Sequence, residues 1–205
     1  SSDLTTTLAT PLNRGSRVLV LLAALVLIPA LMLPLWHMTF LAQQYPEGLD
    51  LHIYAGDLVG GDGGNDLTEI NVLNHYIGMA ELRAEDFTEL QWIPLIVGLI
   101  GVLTLRAATI GSLGSVVDVV VISAYFGLFS LWSFYHKLYL YGHNLDAKAA
   151  VKVDPFTPPV FGYRMVGQFE VWSYPSAGTW FFAAFGFLLI AGFYITLRKK
   201  VQTQP

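Results

Sequence analysis

The groups in this chain that can hold a metal ion are its histidines, methionines and carboxylates, and several of them stand at telling intervals. In "DLTEINVLNHYIGMAEL", Asn71, His75 and Met79 recur at every fourth residue. On a helix that spacing puts them on one face, while Leu67, Ile70, Leu73 and Ile77 serve packing. Imidazole and thioether together suit copper, above all Cu(I), for which soft sulfur ligands are selective. One His and one Met do not complete a site, so further ligands are needed. His37–Met38 offers a second His/Met pair. His136 and His143 are two helical turns apart, with Asp146 close behind. On a projecting helix these three share a face and can hold a divalent ion. The spacing thus nominates His75, Met79, His143, Asp146, His37 and His136 as metal ligands. A haem b between His37 and His136 is the weaker alternative. The plain reading is also open: these histidines hydrogen-bond to loop carbonyls, and Met79 fills core space.

"GGDGGNDL" (Gly60–Leu67) invites calcium, because it resembles the Gly/Asp repeats of parallel β-rolls. Those rolls need tandem copies, and there is one here. A turn leading into a helix, with Asp66 and Glu69 spaced as a capping box, is the expected structure. Cysteine is absent, which excludes disulfides, thiolate metal sites and iron–sulfur clusters on this chain. No Walker motif, nucleophile elbow or dinucleotide fingerprint appears, so no enzyme is expected.

The elements that must position these residues belong to a membrane. Hydrophobic residues make up 54% of the chain and charged ones 13%, about half the charge of an ordinary globular domain. Apolar blocks run over Val18–Trp36, Leu90–Leu105, Val116–Tyr135 and Trp180–Leu197. A helix needs about 20 residues to cross a ~30 Å hydrocarbon core. Three blocks suffice as they stand, and the second does if it continues past Arg106, whose stem can snorkel to the headgroups. Four spans are predicted, at 18–36, 90–110, 115–136 and 177–197. Asp118 is the one carboxylate noted within the blocks; it is expected to reach the interface or to pair with Arg106. The first block is too long for the h-region of a cleavable leader and reads as a signal anchor.

Arg14, Arg17, Arg106 and Arg198–Lys200 flank one set of helix ends. By the positive-inside rule those ends face the cytoplasm. The tails 1–17 and 198–205 then lie inside, and segments 37–89 and 137–176 lie outside, in the periplasm of a bacterial inner membrane. All five histidines fall on the outer side. "LDLHIY" alternates, with Leu49, Leu51 and Ile53 on one face and Asp50, His52 and Tyr54 on the other, as a half-buried strand does. "GQFEVWSY" is also strand-like, so strands near 49–54 and 167–173 are expected, paired into a small sheet; a short helix is expected over 66–79. The Pro-rich "KVDPFTPPVFG" is an extended connector. The fold class expected is therefore membrane α-helical: a four-transmembrane-helix bundle with a small α+β extracytoplasmic cap.

At "NDLTEINVLNHYIGM" and "YGHNLDAKAAVKVDPFTPP" the chain resembles a little-characterised bacterial family of four-helix membrane proteins associated with copper-enzyme maturation loci, such as those of nitrous oxide reductase. The resemblance covers residues 33–175. It implies an accessory role around copper. His75, Met79, His143 and Asp146 sit within the matching segments; His52 does not. The function expected is an integral membrane accessory protein that binds or hands on a metal, copper before calcium or haem. The alternative is a non-catalytic subunit of a larger respiratory or photosynthetic electron-transfer complex. Membrane lipid and a membrane protein are the expected partners, and nucleic acid is not among them. An acidic outer loop suits a cation or a basic electron carrier.

Overall fold

The computed structural model describes residues 2–166 and 169–203. In chain order the elements are α1 (Ser2–Leu8), α2 (Arg14–Met32), β1 (Trp36–Ala42), β2 (Tyr45–Ile53), β3 (Leu58–Gly60), α3 (Asn65–Tyr76), α4 (Thr88–Ile110), α5 (Leu113–His143), β4 (Gly162–Val166), β5 (Phe169–Pro175) and α6 (Ala177–Thr203). Four of them, α2, α4, α5 and α6, are long and apolar enough to cross a membrane. The chain divides into two compact units.

The first unit comprises Ser1–Leu31, Pro94–Leu128 and Trp180–Pro205. Its helices begin where side chains satisfy orphan amides. Asn13 caps α2, its Oδ1 accepting from Ser16 N at 3.0 Å. Ser115 Oγ reaches back to Ser112 N at 2.8 Å to cap α5. Buried residues recur at three- and four-residue intervals: Ser16, Val20, Ala23, Leu27 and Ala30 on α2, and Val97, Ile100, Thr104 and Ala107 on α4. The stripe is narrow and rich in small side chains, which lets backbones approach closely. At Gly192 on α6 an added Cβ would stand 3.2 Å from Val20 Cγ2 and 3.4 Å from Ser16 O. A polar knot ties the same two helices, with Asn13 Nδ2 donating to Thr196 Oγ1 at 2.9 Å and Thr196 Oγ1 to Ser16 Oγ at 2.8 Å.

The second unit comprises Met32–Ile93 and Phe129–Thr179. Its centre is a five-stranded antiparallel sheet in the order β3-β2-β1-β5-β4. The two expected strands exist as β2 and β5, but they do not pair. Between them lies β1, whose first residue, Trp36, falls in the span expected over 18–36 and whose remaining residues fall in the outer segment with no strand expected there. "WHMTFLA" alternates as a strand does, with Met38 and Phe40 buried. An apolar helix immediately before it masked that period. The first two positions of the expected 167–173 strand lie outside the described residues. Strand alternation sends Met38, Phe40, Leu49, Leu51 and Val171 to one face. There they close a core with Ile70 and Leu73 of α3, with Ile77 just past its end and with Phe156.

The helix expected over 66–79 runs over Asn65–Tyr76 and has no side-chain cap. The capping box is not formed. Asp66 Oδ2 instead accepts Asp50 N at 2.8 Å, and Glu69 accepts the Tyr45 hydroxyl. The helix stops before Gly78, whose φ of +79° is left-handed and favours glycine. An acid beyond Asp118 also lies in a long apolar helix: Glu89, near the start of α4. Ser133 Oγ donates to it at 2.7 Å and Lys137 Nζ stands 3.7 Å away.

Candidate functional site

Of the six nominated ligands, four lie near one backbone seam of two hydrogen bonds in the sheet unit. The chain leaving α3 and the chain leaving α5 are stitched together, Asp146 N donating to Gly78 O at 2.8 Å and Val151 N to Tyr76 O at 2.9 Å. Gly78 fits here for a second reason, since an added Cβ would be 2.8 Å from Asp146 O. The segments carrying His75–Met79 and His143–Asp146 are therefore brought side by side.

The side chains on them have separate occupations. His75 is exposed. Met79 is partly buried against the sheet core. His143 stacks on Tyr139, with ring centres 3.8 Å apart, and its Nδ1 lies 2.9 Å from Tyr139 O. Asp146 Oδ1 accepts Lys148 N at 2.8 Å. Asn71, on the same helix as His75, clamps the following loop by two bonds, Leu82 N to Oδ1 at 2.7 Å and Nδ2 to Leu82 O at 3.2 Å. His136 stacks on Trp132 at 5.3 Å. The glycine-rich loop forms a short 3-10 turn over Asp62–Gly64. Among the described residues, no group of three or more His, Asp or Glu side chains is arranged to hold a metal ion.

His37 belongs to a different constellation, built on adjacent strands. β1 and β2 pair with His37 opposite His52 and Thr39 opposite Asp50. All four side chains occupy the face away from the core, because Met38, Phe40, Leu49 and Leu51 take the other. The two imidazoles stack with centres 4.6 Å apart and planes tilted by 26°. His37 Nε2 lies 3.0 Å from Asp50 Oδ1, and Thr39 Oγ1 donates to that same oxygen at 2.7 Å. His52 Nδ1 is buried and has no hydrogen-bond partner among the described residues.

Burial pushes the Asp50 carboxyl up, but the hydrogen bonds from Thr39 and His37 and the charges of both imidazoles outweigh it. The net effect holds Asp50 below its ordinary value. The carboxylate therefore accepts rather than donates at neutral pH. On the next strand, β5, Tyr174 faces His37 and Trp172 faces Thr39.

Asp50 and His52 were not nominated above, although "LDLHIY" places them on one strand face. What was missing was the strand opposite. Read with period two, "HMT" sets His37 and Thr39 on one face. The pairing of those two short alternations is the signal that finds the cluster. Comparisons with protein-family models, with curated proteins and with solved structures found no match.

Proposed function

We propose that this is an integral membrane accessory protein that binds or hands on a metal ion outside the cytoplasm, copper being the ion implied by the resemblance. The observation that carries the reading is the seam between Tyr76–Gly78 and Asp146–Val151. It joins two distant segments whose His, Met and Asp residues were nominated independently, from spacing. The basic residues Arg14, Arg17, Arg106 and Arg198–Lys200 support an N-in, C-in orientation in a bacterial inner membrane. Reporter fusions after Arg106 and after Gly142 then report opposite compartments.

Two substitutions test the ligands. His75 is exposed, so His75→Ala removes a nitrogen with little loss of packing. Met79 packs on the core, so Met79→Leu keeps apolar volume and removes the sulfur. Each lowers copper content at unchanged melting temperature. A loss of stability with unchanged metal content contradicts the reading.

A second reading, as a non-catalytic subunit of a membrane electron-transfer complex, is favoured by α5. Tyr125, Phe129, Trp132, Tyr135 and Tyr139 are exposed along this one helix. At ~1.5 Å per residue, 31 residues extend about 46 Å, well past a ~30 Å hydrocarbon core. Tyr139 lies beyond the expected 115–136 span, and an exposed aromatic past the lipid suits a protein partner. Metal-free co-purification with cytochromes or pigment proteins would favour this second reading.

A further inference from the structure

We propose that His37 and His52 form a two-nitrogen site for a cupric ion on the open face of the sheet. The inference shares the class of ligand with the reading above but rests on other residues and another part of the fold. Three features of the cluster point to it.

The first is separation. Metal–imidazole bonds are ~2.0–2.1 Å long, so two imidazoles bound at about a right angle have ring centres roughly 4.5 Å apart. The observed 4.6 Å meets that requirement with the strands where they are. A stacked pair does not yet aim both lone pairs at one point. Binding requires both rings to turn about their Cβ–Cγ bonds out of the stack, a motion that leaves the ring centres nearly in place.

The second feature is the carboxylate. Asp50 sits 3.0 Å from His37 Nε2 and is itself fixed by Thr39 Oγ1 and, at its backbone, by Asp66 Oδ2. An acceptor at Nε2 holds the proton there and leaves Nδ1 with a free in-plane lone pair. This carboxylate–histidine arrangement orients metal-ligating imidazoles and raises their basicity.

The third is the orphan. His52 Nδ1 is shielded from solvent without a hydrogen-bond partner, an unfavourable state for a buried nitrogen that a bound cation would relieve.

The identity of the ion follows from the donors. Imidazole nitrogen suits copper, zinc, iron and nickel, and among divalent ions Cu²⁺ heads the affinity order. Two nitrogens at a right angle leave further positions of a tetragonal Cu(II) centre to water or to an exogenous ligand. Such a site is open to exchange, and the His37 side chain is 38% exposed.

The test is Cu(II) titration of the full chain in detergent, read by electron paramagnetic resonance. One equivalent should give ligand hyperfine structure from two nitrogens. His52→Phe keeps a ring stacked on His37 but has no nitrogen, and it should lose the two-nitrogen pattern. Asp50→Asn should weaken binding by about 10–100-fold. His75→Ala should leave the pattern in place. Circular dichroism matching the wild type establishes that His52→Phe is folded, and His52→Gln provides a second nitrogen-ring deletion. A two-nitrogen pattern that persists in both variants overturns the site, as does a wild-type spectrum without it. A pattern lost in His75→Ala and kept in His52→Phe overturns this site while leaving the α3 reading standing.

Discussion

In the helical unit, interior positions recur every three or four residues along single helices, and each helix carries its own stripe. In the sheet unit, neighbours in space come from far apart in the chain. β1 at residues 36–42 pairs with β5 at 169–175, and the seam joins residue 78 to residue 146. The helical unit relies on close backbone approach and one polar knot. The sheet unit relies on a branched and aromatic core on one face and a polar network on the other. Local periodicity therefore specifies the first, and long-range register specifies the second. Mutations should separate them accordingly.

The largest effect is expected in the sheet core. Ile70 is fully buried between α3 and the strands. Ile70→Ala should cost about 2–5 kcal/mol, measured by thermal melting in detergent. A cost near zero would mean that α3 does not close this core.

Glycines sharpen the contrast. Gly142, at the end of α5, has Phe156 O where its Cβ would go, and it accepts Phe156 N at 3.0 Å. Gly142→Ala should destabilise by about 1–3 kcal/mol through overpacking. Gly186 on α6 has nothing within 4 Å of an added Cβ. Gly186→Ala should be neutral or raise stability by up to ~1 kcal/mol, from helix propensity. Equal effects at the two positions would dissolve the distinction.

Within the helical unit, Thr196→Val removes the hydroxyl shared by Asn13 and Ser16. The expected loss is about 1 kcal/mol, the usual net worth of such a bond. Ser16→Ala, which removes only the acceptor of the Thr196 hydroxyl, at no greater cost and with no further loss in the double variant, would show that they act as one unit.

The four membrane-scale helices were legible because hydropathy and length suffice to find them. So was the second half of β2, where Leu49 to Ile53 alternate; its first half, with Pro46 and an exposed Glu47, was not. β1 was not, because its seven residues follow an apolar helix almost directly and carry Trp36, a residue equally at home at a membrane interface. The pairing of β2 with β5 was misjudged for the same reason: each had the right pattern, but the strand between them was unseen. Site residues followed suit. Single-segment spacing nominated His75 and Met79, whereas the His37–His52 pair exists only once two strands are set in register. The role of Asp66 was likewise hidden. Its spacing from Glu69 matches a cap, yet the nearby Asp50 amide competes for the carboxylate and wins.

The smallest predicted effect concerns acid. Asp50 is held below its ordinary value by Thr39 and His37 against the opposing pull of burial. A depressed carboxyl contributes stability that is fully present above the unfolded value, near ~3.9, and is lost as pH falls through the folded one. Wild type should therefore lose slightly more melting temperature below about pH 4 than Asp50→Asn does. The Asp50 side chain is 43% exposed, so solvent screening keeps the difference small. An equal acid response in both proteins would show that the network adds nothing to stability.

The proposed metal-handling role is tested most directly by the copper content of the protein. The measurement is elemental analysis of wild-type chain purified from membranes of copper-replete cells, normalised to protein by amino-acid analysis. The account predicts stoichiometric copper in the wild type and a reduced content in His75→Ala of unchanged stability. Metal-free wild-type protein, or equal copper in both, would contradict it.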